Sequence, residues 1–329
     1  MSNVLITGGA GFIGYHLAKA LASDGYHVDL LDNLSRGVVD SDLKSLTSNS
    51  KVRFLTVDLS QHSAFDDLPH HYSHIYHLAS IVGVANVGKA PYSVIRDNML
   101  MLANLLGFAS RQTNLERLVF ASTSEVYAGT QRSFDLPIPT PESVPLTLTE
   151  LSQPRTSYML AKICGEGLCH HSGVPWTIIR PHNVYGPRMG MSHVIPELLN
   201  RAHGTTNGSM DVYSVEHRRS FCYITDAVLM LKAAAESAEC LHETLNIGSE
   251  APEVTIGELA DTILRVMKKS LNVVPRPATP GSPIRRCPDM AKTIRLTGRK
   301  AQVGLEEGIG LTYDWYRAHV FDGNDVSAS

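Results

Sequence analysis

NVLITGGAGFIG, residues 3–14, is the stretch whose reading decides the fold. Asn3–Thr7 is short, apolar and β-branched, so it reads as a buried strand. Glycines follow at 8, 11 and 14, and an amphipathic run to Gly25 reads as a helix over 11–25. In a strand–turn–helix setting each glycine has a job. Gly8 makes the tight turn, Gly11 lets the backbone approach a pyrophosphate, and Gly14 permits close helix–strand packing. The helix N-terminus supplies free N–H groups and the positive end of its dipole. Ordinary turns also use glycine, so the triplet needs company. HVDLLD (27–32) supplies it, a second strand ending in Asp32. A carboxylate there accepts from both ribose hydroxyls and favours NAD over NADP. Arg36 could meet a 2′-phosphate, but the acid repels one. Asp58, after the strand VRFLTVD (52–58), either accepts from an adenine amino group or is a plain turn aspartate.

The same alternation continues. HIYHLA (74–79), RLVFAS (117–122), WTIIRP (176–181) and TLNIG (244–248) read as strands, and 93–112 as a long helix that is apolar on most faces. Strands of this kind alternating with helices predict an α/β fold, a Rossmann-type doubly wound parallel sheet covered on both faces. Beyond Pro181 the elements shorten and Pro, Gly and Arg increase. Two units are expected. Residues 1–181, with about 220–248, form the dinucleotide domain. Residues 182–219 and 249–329 form a smaller, discontinuous α/β cap, ending in a frayed tail at 322–329.

Composition narrows the function classes. Hydrophobic residues make up 43% of the 329 and charged ones 19%, with a net charge of −3. Such a balance gives no reason to expect nucleic acid or a membrane surface as partner, so an anionic ligand must be held by local cations. The five cysteines are scattered without a C-x-x-C pair, which predicts reduced thiols in a cytoplasmic protein and no metal site. The histidine doublets at 70–71 and 170–171 fit no ligand motif. The N-terminus lacks a basic n-region and is not read as a signal peptide. No apolar run approaches the ~18 residues of a membrane span.

TSYMLAK (156–162) places Tyr158 and Lys162 one helical turn apart. Alone, the pair reads as a half-buried tyrosine beside a snorkelling lysine. Taken in order with TGGAGFIG, Asp32, HLAS (77–80), STSEVY (122–127), RPHNVYGPR (180–188), RRSFCYITD (218–226) and RRCPD (285–289), it is more. Over nearly its whole length the chain resembles the extended short-chain dehydrogenase/reductases, in particular their nucleotide-sugar epimerase/dehydratase branch.

The resemblance implies an NAD enzyme that oxidises a sugar at C4 and later returns the hydride. It assigns the base to Tyr158, helped by Lys162, whose ammonium with a positive nicotinamide would lower a phenol pKa of about 10. Thr123 would share the C4 oxygen's proton. It places Phe12, Ile13, Asn33, Leu59, Leu78 and Ala79 along the cofactor. Ser80, Ser124, Asn183, His193, Val194 and Tyr213 fall to the nucleotide sugar (UDP, dTDP or GDP). Arg219 and Arg286 fall to its diphosphate, which suits a guanidinium fork. A homodimer through a four-helix bundle is also implied.

Glu125 bears on the outcome, because family dehydratases and UDP-glucuronate decarboxylases keep an acid there. The alternative is an exposed or Arg-paired carboxylate. The apolar stretch 80–84 offers no group for a C6 carboxylate. On that ground the sequence favours 4-epimerisation, then dehydration through Glu125, then decarboxylation. Two departures from the family pattern stand out: Ala128 replaces the usual glycine of V-Y-G, and His182 replaces an aromatic residue.

Overall fold

The computed structural model describes residues 2–278 and 282–323, with backbone alone at 84–86. The rest of the expected frayed tail, 324–329, lies outside the described residues, as does the Val84 side chain. One sheet holds β1 (Asn3–Thr7), β2 (His27–Asp32), β3 (Val52–Thr56), β4 (Tyr72–His77), β5 (Arg117–Ala121), β6 (Trp176–Pro181) and a last strand, Thr244–Ile247. Across the sheet the order is last strand, β6, β5, β4, β1, β2, β3, and every neighbouring pair is parallel. The strand order reverses between β1 and β4. A crevice opens there at the carboxyl ends of the strands.

Period-two alternation divides the core between the two faces of the sheet. Val4, Ile6 and Leu30 pack on one face with Leu17 and Leu21 of helix α1 (Phe12–Ser23) and with Met230 and Leu231 of the Ile224–Glu236 helix. Leu5 and Leu31 pack on the other with Leu102, Leu105 and Phe108 of the Pro91–Ala109 helix. The Thr156–His171 helix lies alongside that helix. α1 stops at Ser23 because Gly25 takes φ 95°, which L side chains resist. The long helix begins at Pro91, earlier than its apolar pattern indicates, because proline suits the first turn.

Beyond β6 the strands are short. Val184–Tyr185 pairs with Cys222–Tyr223, and Ser209–Tyr213 with Asn272–Arg276. Arg218–Ser220 lies between Glu253–Thr255 and Arg285–Arg286. That last pairing sets Arg286 in register with Arg219.

Candidate active site

A cavity of about 770 Å³ occupies the crevice. Its cofactor end is built from the first β–turn–α unit: Gly8, Gly11, Phe12, Ile13 and Gly14 line it, with Asp32 and Asn33 from the end of β2. The cradle admits no side chains. A Cβ on Gly14 would lie 2.2 Å from the Gly8 carbonyl oxygen, and one on Gly8 2.7 Å from the Ala79 nitrogen. Asp32 is fixed by two backbone donors, Ala10 N–H at 3.1 Å and Leu34 N–H at 2.8 Å. Burial raises its pKa and those two bonds oppose the rise. Asp58 and Leu59 line the cavity past the end of β3, and Leu78 and Ala79 past the end of β4. Asp58 accepts from Ser60 N–H at 3.0 Å and Ser60 O–H at 2.8 Å, which is turn chemistry at the cavity wall. Bare backbone at a helix N-terminus plus a strand-end carboxylate is a donor set that fits a dinucleotide.

The reacting end gathers Ser80, Thr123, Ser124, Glu125, Tyr158, Lys162, Asn183, His193 and Arg286. Thr123 caps the short Ser124–Tyr127 turn, its hydroxyl accepting from Glu125 N–H at 3.2 Å. Ser80 donates to Asn98 Oδ1 at 2.8 Å, and Asn98 in turn ties down both backbone groups of Ile81. Asn98 is a buried polar residue on the long helix that the sequence reading passed over.

Tyr158 departs from expectation. Burial pushes it up to about 12, although hydrogen bonds with Thr123 and Ser80 pull it down. Lys162 does not supply the expected lowering. Its Nζ donates to the Ala121 carbonyl at 2.7 Å and stands 5.8 Å from the Tyr158 ring centre. The same burial draws Lys162 down to about 7. Both shifts disfavour charge, so the protein's own groups hold Tyr158 as a neutral phenol. Behind the pair, Glu166 sits one turn beyond Lys162. It receives Ser122 O–H at 2.5 Å and a two-pronged contact from Arg180 at 2.9 and 2.6 Å.

Glu125 is paired with arginine. Arg286 reaches it at 2.7 Å and Arg155 at 3.3 Å. Burial raises its pKa, but the two guanidiniums outweigh that and hold it down at about 2. Arg286 lines the cavity, and its partner in this structure is Glu125. Arg219 stands outside the cavity wall. Its donors go to the carbonyls of Arg218 at 2.7 Å, Ile284 at 3.2 Å and Pro283 at 2.5 Å, and to Ser282 Oγ at 3.2 Å. Val194 and Tyr213 are not brought to the wall either. Tyr213 is half exposed and carries the Arg201 guanidinium over its ring at 5.4 Å. Asn183 reaches the cavity in a left-handed conformation, φ 42°, while donating to Ser220 O at 2.9 Å.

Arg36, weighed in the sequence against a 2′-phosphate, lines the cavity. A further part of the wall was not anticipated: Gly37, Asp40, Arg188, Trp315 and His319. Arg188 Nε donates to Asp40 at 2.7 Å, and Trp315 Nε1 to Asp42 at 2.8 Å. The usable signal was Trp315, one of only two tryptophans, in the last helical pattern of the chain.

The chain has relatives among known proteins. The model of the NAD dependent epimerase/dehydratase family matches residues 4–248. A UDP-N-acetyl-α-D-glucosaminuronate decarboxylase of Bacillus cytotoxicus is 32% identical, across 95% of this chain and 97% of that protein. The structure of TunA, an NAD-dependent NDP-hexosamine 5,6-dehydratase involved in tunicamycin biosynthesis, superposes with a TM-score of 0.79. It is 30% identical, over 98% of this chain and 100% of that one. The UDP-glucuronic acid 4-epimerase of Bacillus cereus, in complex with UDP-glucuronic acid and NAD, superposes with a TM-score of 0.78. It is 26% identical, over 96% and 99% of the two chains. With its dinucleotide cradle, the tyrosine–lysine pair above it and a family match across most of its length, this chain belongs to the NAD-dependent epimerase/dehydratase family.

Proposed function

We propose that the protein is a UDP-hexuronate decarboxylase that removes C6 as carbon dioxide through a 4-keto intermediate. The observation that carries this reading is the Arg155–Glu125–Arg286 cluster beside Thr123 and Tyr158. Arg286 and Glu125 line the cavity, and Arg155, half exposed behind Glu125, adds a second guanidinium, so positive charge exceeds negative by one in the cluster at the cavity's edge. That is the anion-recognising feature absent from the stretch at 80–84. It favours a uronate over a neutral hexose. Decarboxylation replaces 4-epimerisation as the favoured outcome, and the relatedness to the B. cytotoxicus decarboxylase supports the change.

Gly8, Gly11, Gly14 and Asp32 would hold NAD, which would supply a hydride acceptor and donor for C4. The chain's residues do the rest. Tyr158 takes the C4 hydroxyl proton, and Thr123 hydrogen-bonds the same oxygen. The C4 ketone makes the sugar a β-keto acid. The C5–C6 pair then flows toward the C4 oxygen as carbon dioxide leaves, and the hydroxyls of Tyr158 and Thr123 stabilise the charge there. No base is needed at C5, which takes up a proton from water once carbon dioxide has left. A carboxylate held at about 2 would be a poor base there, which counts against dehydration.

We infer further that residues 182–219 and 249–329 form the nucleotide-sugar unit. Two copies would pair through the 91–109 and 156–171 helices, where Tyr92 and Leu100 are exposed. Light scattering on the purified protein tests the dimer. A second reading, a 5,6-dehydratase, draws on the identity with TunA. Incubation with UDP-glucuronate, UDP-N-acetylglucosaminuronate and neutral UDP-, dTDP- and GDP-hexoses, followed by mass spectrometry, separates the readings. Loss of carbon dioxide from a uronate is expected. Loss of water, or a new stereoisomer of unchanged mass, overturns the proposal.

A further inference from the structure

The two departures from the family pattern, His182 and Ala128, meet in one place. They line a second, small cavity of about 10 Å³ together with Ser124, Tyr127, Thr140 and Arg286. Arg286 and Ser124 line the large cavity as well, so they form part of the wall between the two. The small cavity has room for one water molecule.

His182 is buried, and its hydrogen bonds fix its tautomer. Asn246 Nδ2 donates to the Thr140 carbonyl at 2.9 Å and the Asp289 carbonyl at 3.1 Å. That orientation makes Asn246 Oδ1 an acceptor, and Tyr127 O–H donates to it at 2.9 Å. His182 Nε2, 3.0 Å from the same oxygen, must therefore carry the ring proton. Nδ1 is left as a bare acceptor, fully buried and without a protein partner. Burial, then the Arg286 charge, keeps the ring neutral. A buried acceptor of this kind costs about 1–3 kcal/mol when unsatisfied. A guanidinium lining the same cavity is the complementary donor.

We propose that His182 positions Arg286 through one buried water, which donates to His182 Nδ1 and accepts from the guanidinium. Arg286 is then held from two sides, by Glu125 and by the water behind it. An aromatic hydrocarbon ring at 182 would offer no acceptor, and the water would lose its anchor. His182 touches no reacting atom, so it is a positioning residue for the anion-facing arginine. Its effect belongs in substrate binding more than in turnover. This rests on the reading that Arg286 faces the charged part of a UDP-uronate.

Two substitutions separate positioning from simple packing. His182→Gln keeps a donor near Nε2 for Asn246 but removes the acceptor at Nδ1. His182→Asn keeps an acceptor near Nδ1 but loses the bond to Asn246. Titration calorimetry with UDP-glucuronate of the NAD-loaded proteins, all carrying Tyr158→Phe so that the sugar is bound and not consumed, should show His182→Gln weakened about tenfold, in keeping with the loss of a charge-assisted contact. His182→Asn should stay within about twofold of wild type while unfolding at lower temperature. A packing role predicts the reverse order, and any order other than the one expected overturns the proposal. A high-resolution crystal structure of the wild type should show a water within hydrogen-bond distance of both His182 Nδ1 and Arg286. A cavity without it also overturns the proposal. Failure of the decarboxylase reading would look different: wild-type protein would release no carbon dioxide, whatever the water and the two variants do.

Discussion

Replacing Glu125 by glutamine tests the charge cluster most directly. The carboxyl is held at about 2, against an ordinary 4.5, by Arg286 and Arg155. The sign follows from linkage. The folded state binds this proton more weakly than the unfolded state. Its contribution is fully present above pH ~4.5 and disappears as pH falls through ~2. The pKa difference corresponds to about 3 kcal/mol at ~1.4 kcal/mol per unit. Glu125 keeps 22% of its side-chain surface exposed, and screening reduces the figure to about 2 kcal/mol. Urea unfolding followed by tryptophan fluorescence between pH 6 and 3 reads it out. Wild type should lose stability through the acid part of that range more steeply than Glu125→Gln, since other carboxyls titrate alike in both. Parallel curves would refute the clamp. Turnover gives an independent check at neutral pH. If Glu125 acts only through its arginines, Glu125→Gln should slow the reaction by about tenfold, since glutamine still accepts a hydrogen bond. A loss of about 10³-fold or more would mark it as the acid or base and return the balance to dehydration.

Three further substitutions probe the rest of the site. Tyr158→Phe should lower turnover by about 10³-fold while NAD, measured after denaturing the protein, stays bound; turnover near wild type would remove tyrosine from the mechanism. Gly14→Ala should abolish NAD binding in equilibrium dialysis and cost about 1–3 kcal/mol in urea unfolding, because its Cβ meets the Gly8 carbonyl at 2.2 Å; unchanged affinity would show that the cradle can shift. Glu166→Gln should cost about 3–5 kcal/mol by leaving Arg180 as a buried charge without its counter-ion. If its denaturation midpoint matches wild type, the pair carries no structural load.

The cofactor half of the site was legible because it is local. Gly8, Gly11, Gly14 and Asp32 all lie within one β–turn–α–β passage, where spacing alone places them at the crevice. Tyr158 and Lys162 were legible for the same reason, one helical turn being a fixed distance. The arginines were not. Arg286 reaches Glu125 across 161 positions of sequence, and no periodicity encodes that meeting. Arg219 and Arg286 read alike as motif residues and stand in register on neighbouring strands. Yet the carbonyls of Arg218, Pro283 and Ile284 consume the donors of one while a carboxylate takes the other. Competition for donors depends on which loop folds over which strand, and composition carries no trace of it.

Burial was the other quantity that spacing could not supply, and it changes how the tyrosine must work. A lysine four residues on suggests a base already lowered by its neighbour's charge. In the folded chain the same apolar surroundings drive Tyr158 up to about 12 and Lys162 down to about 7. Each shift reflects the cost of placing a charge in a dry site, and together they shrink the attraction that was to activate the phenol. Lys162 is nonetheless held at the cavity wall by its bond to the Ala121 carbonyl. Thr123 and Ser80 already point hydrogen-bonding hydroxyls at Tyr158, and their pull opposes burial. What is missing is a positive charge close to the phenol. The free protein therefore stores no ready base at Tyr158, and under the proposed mechanism a positive charge brought by a bound ligand would supply the missing lowering. A proton-abstracting group that stays neutral until the sugar hydroxyl is in place cannot be wasted on water.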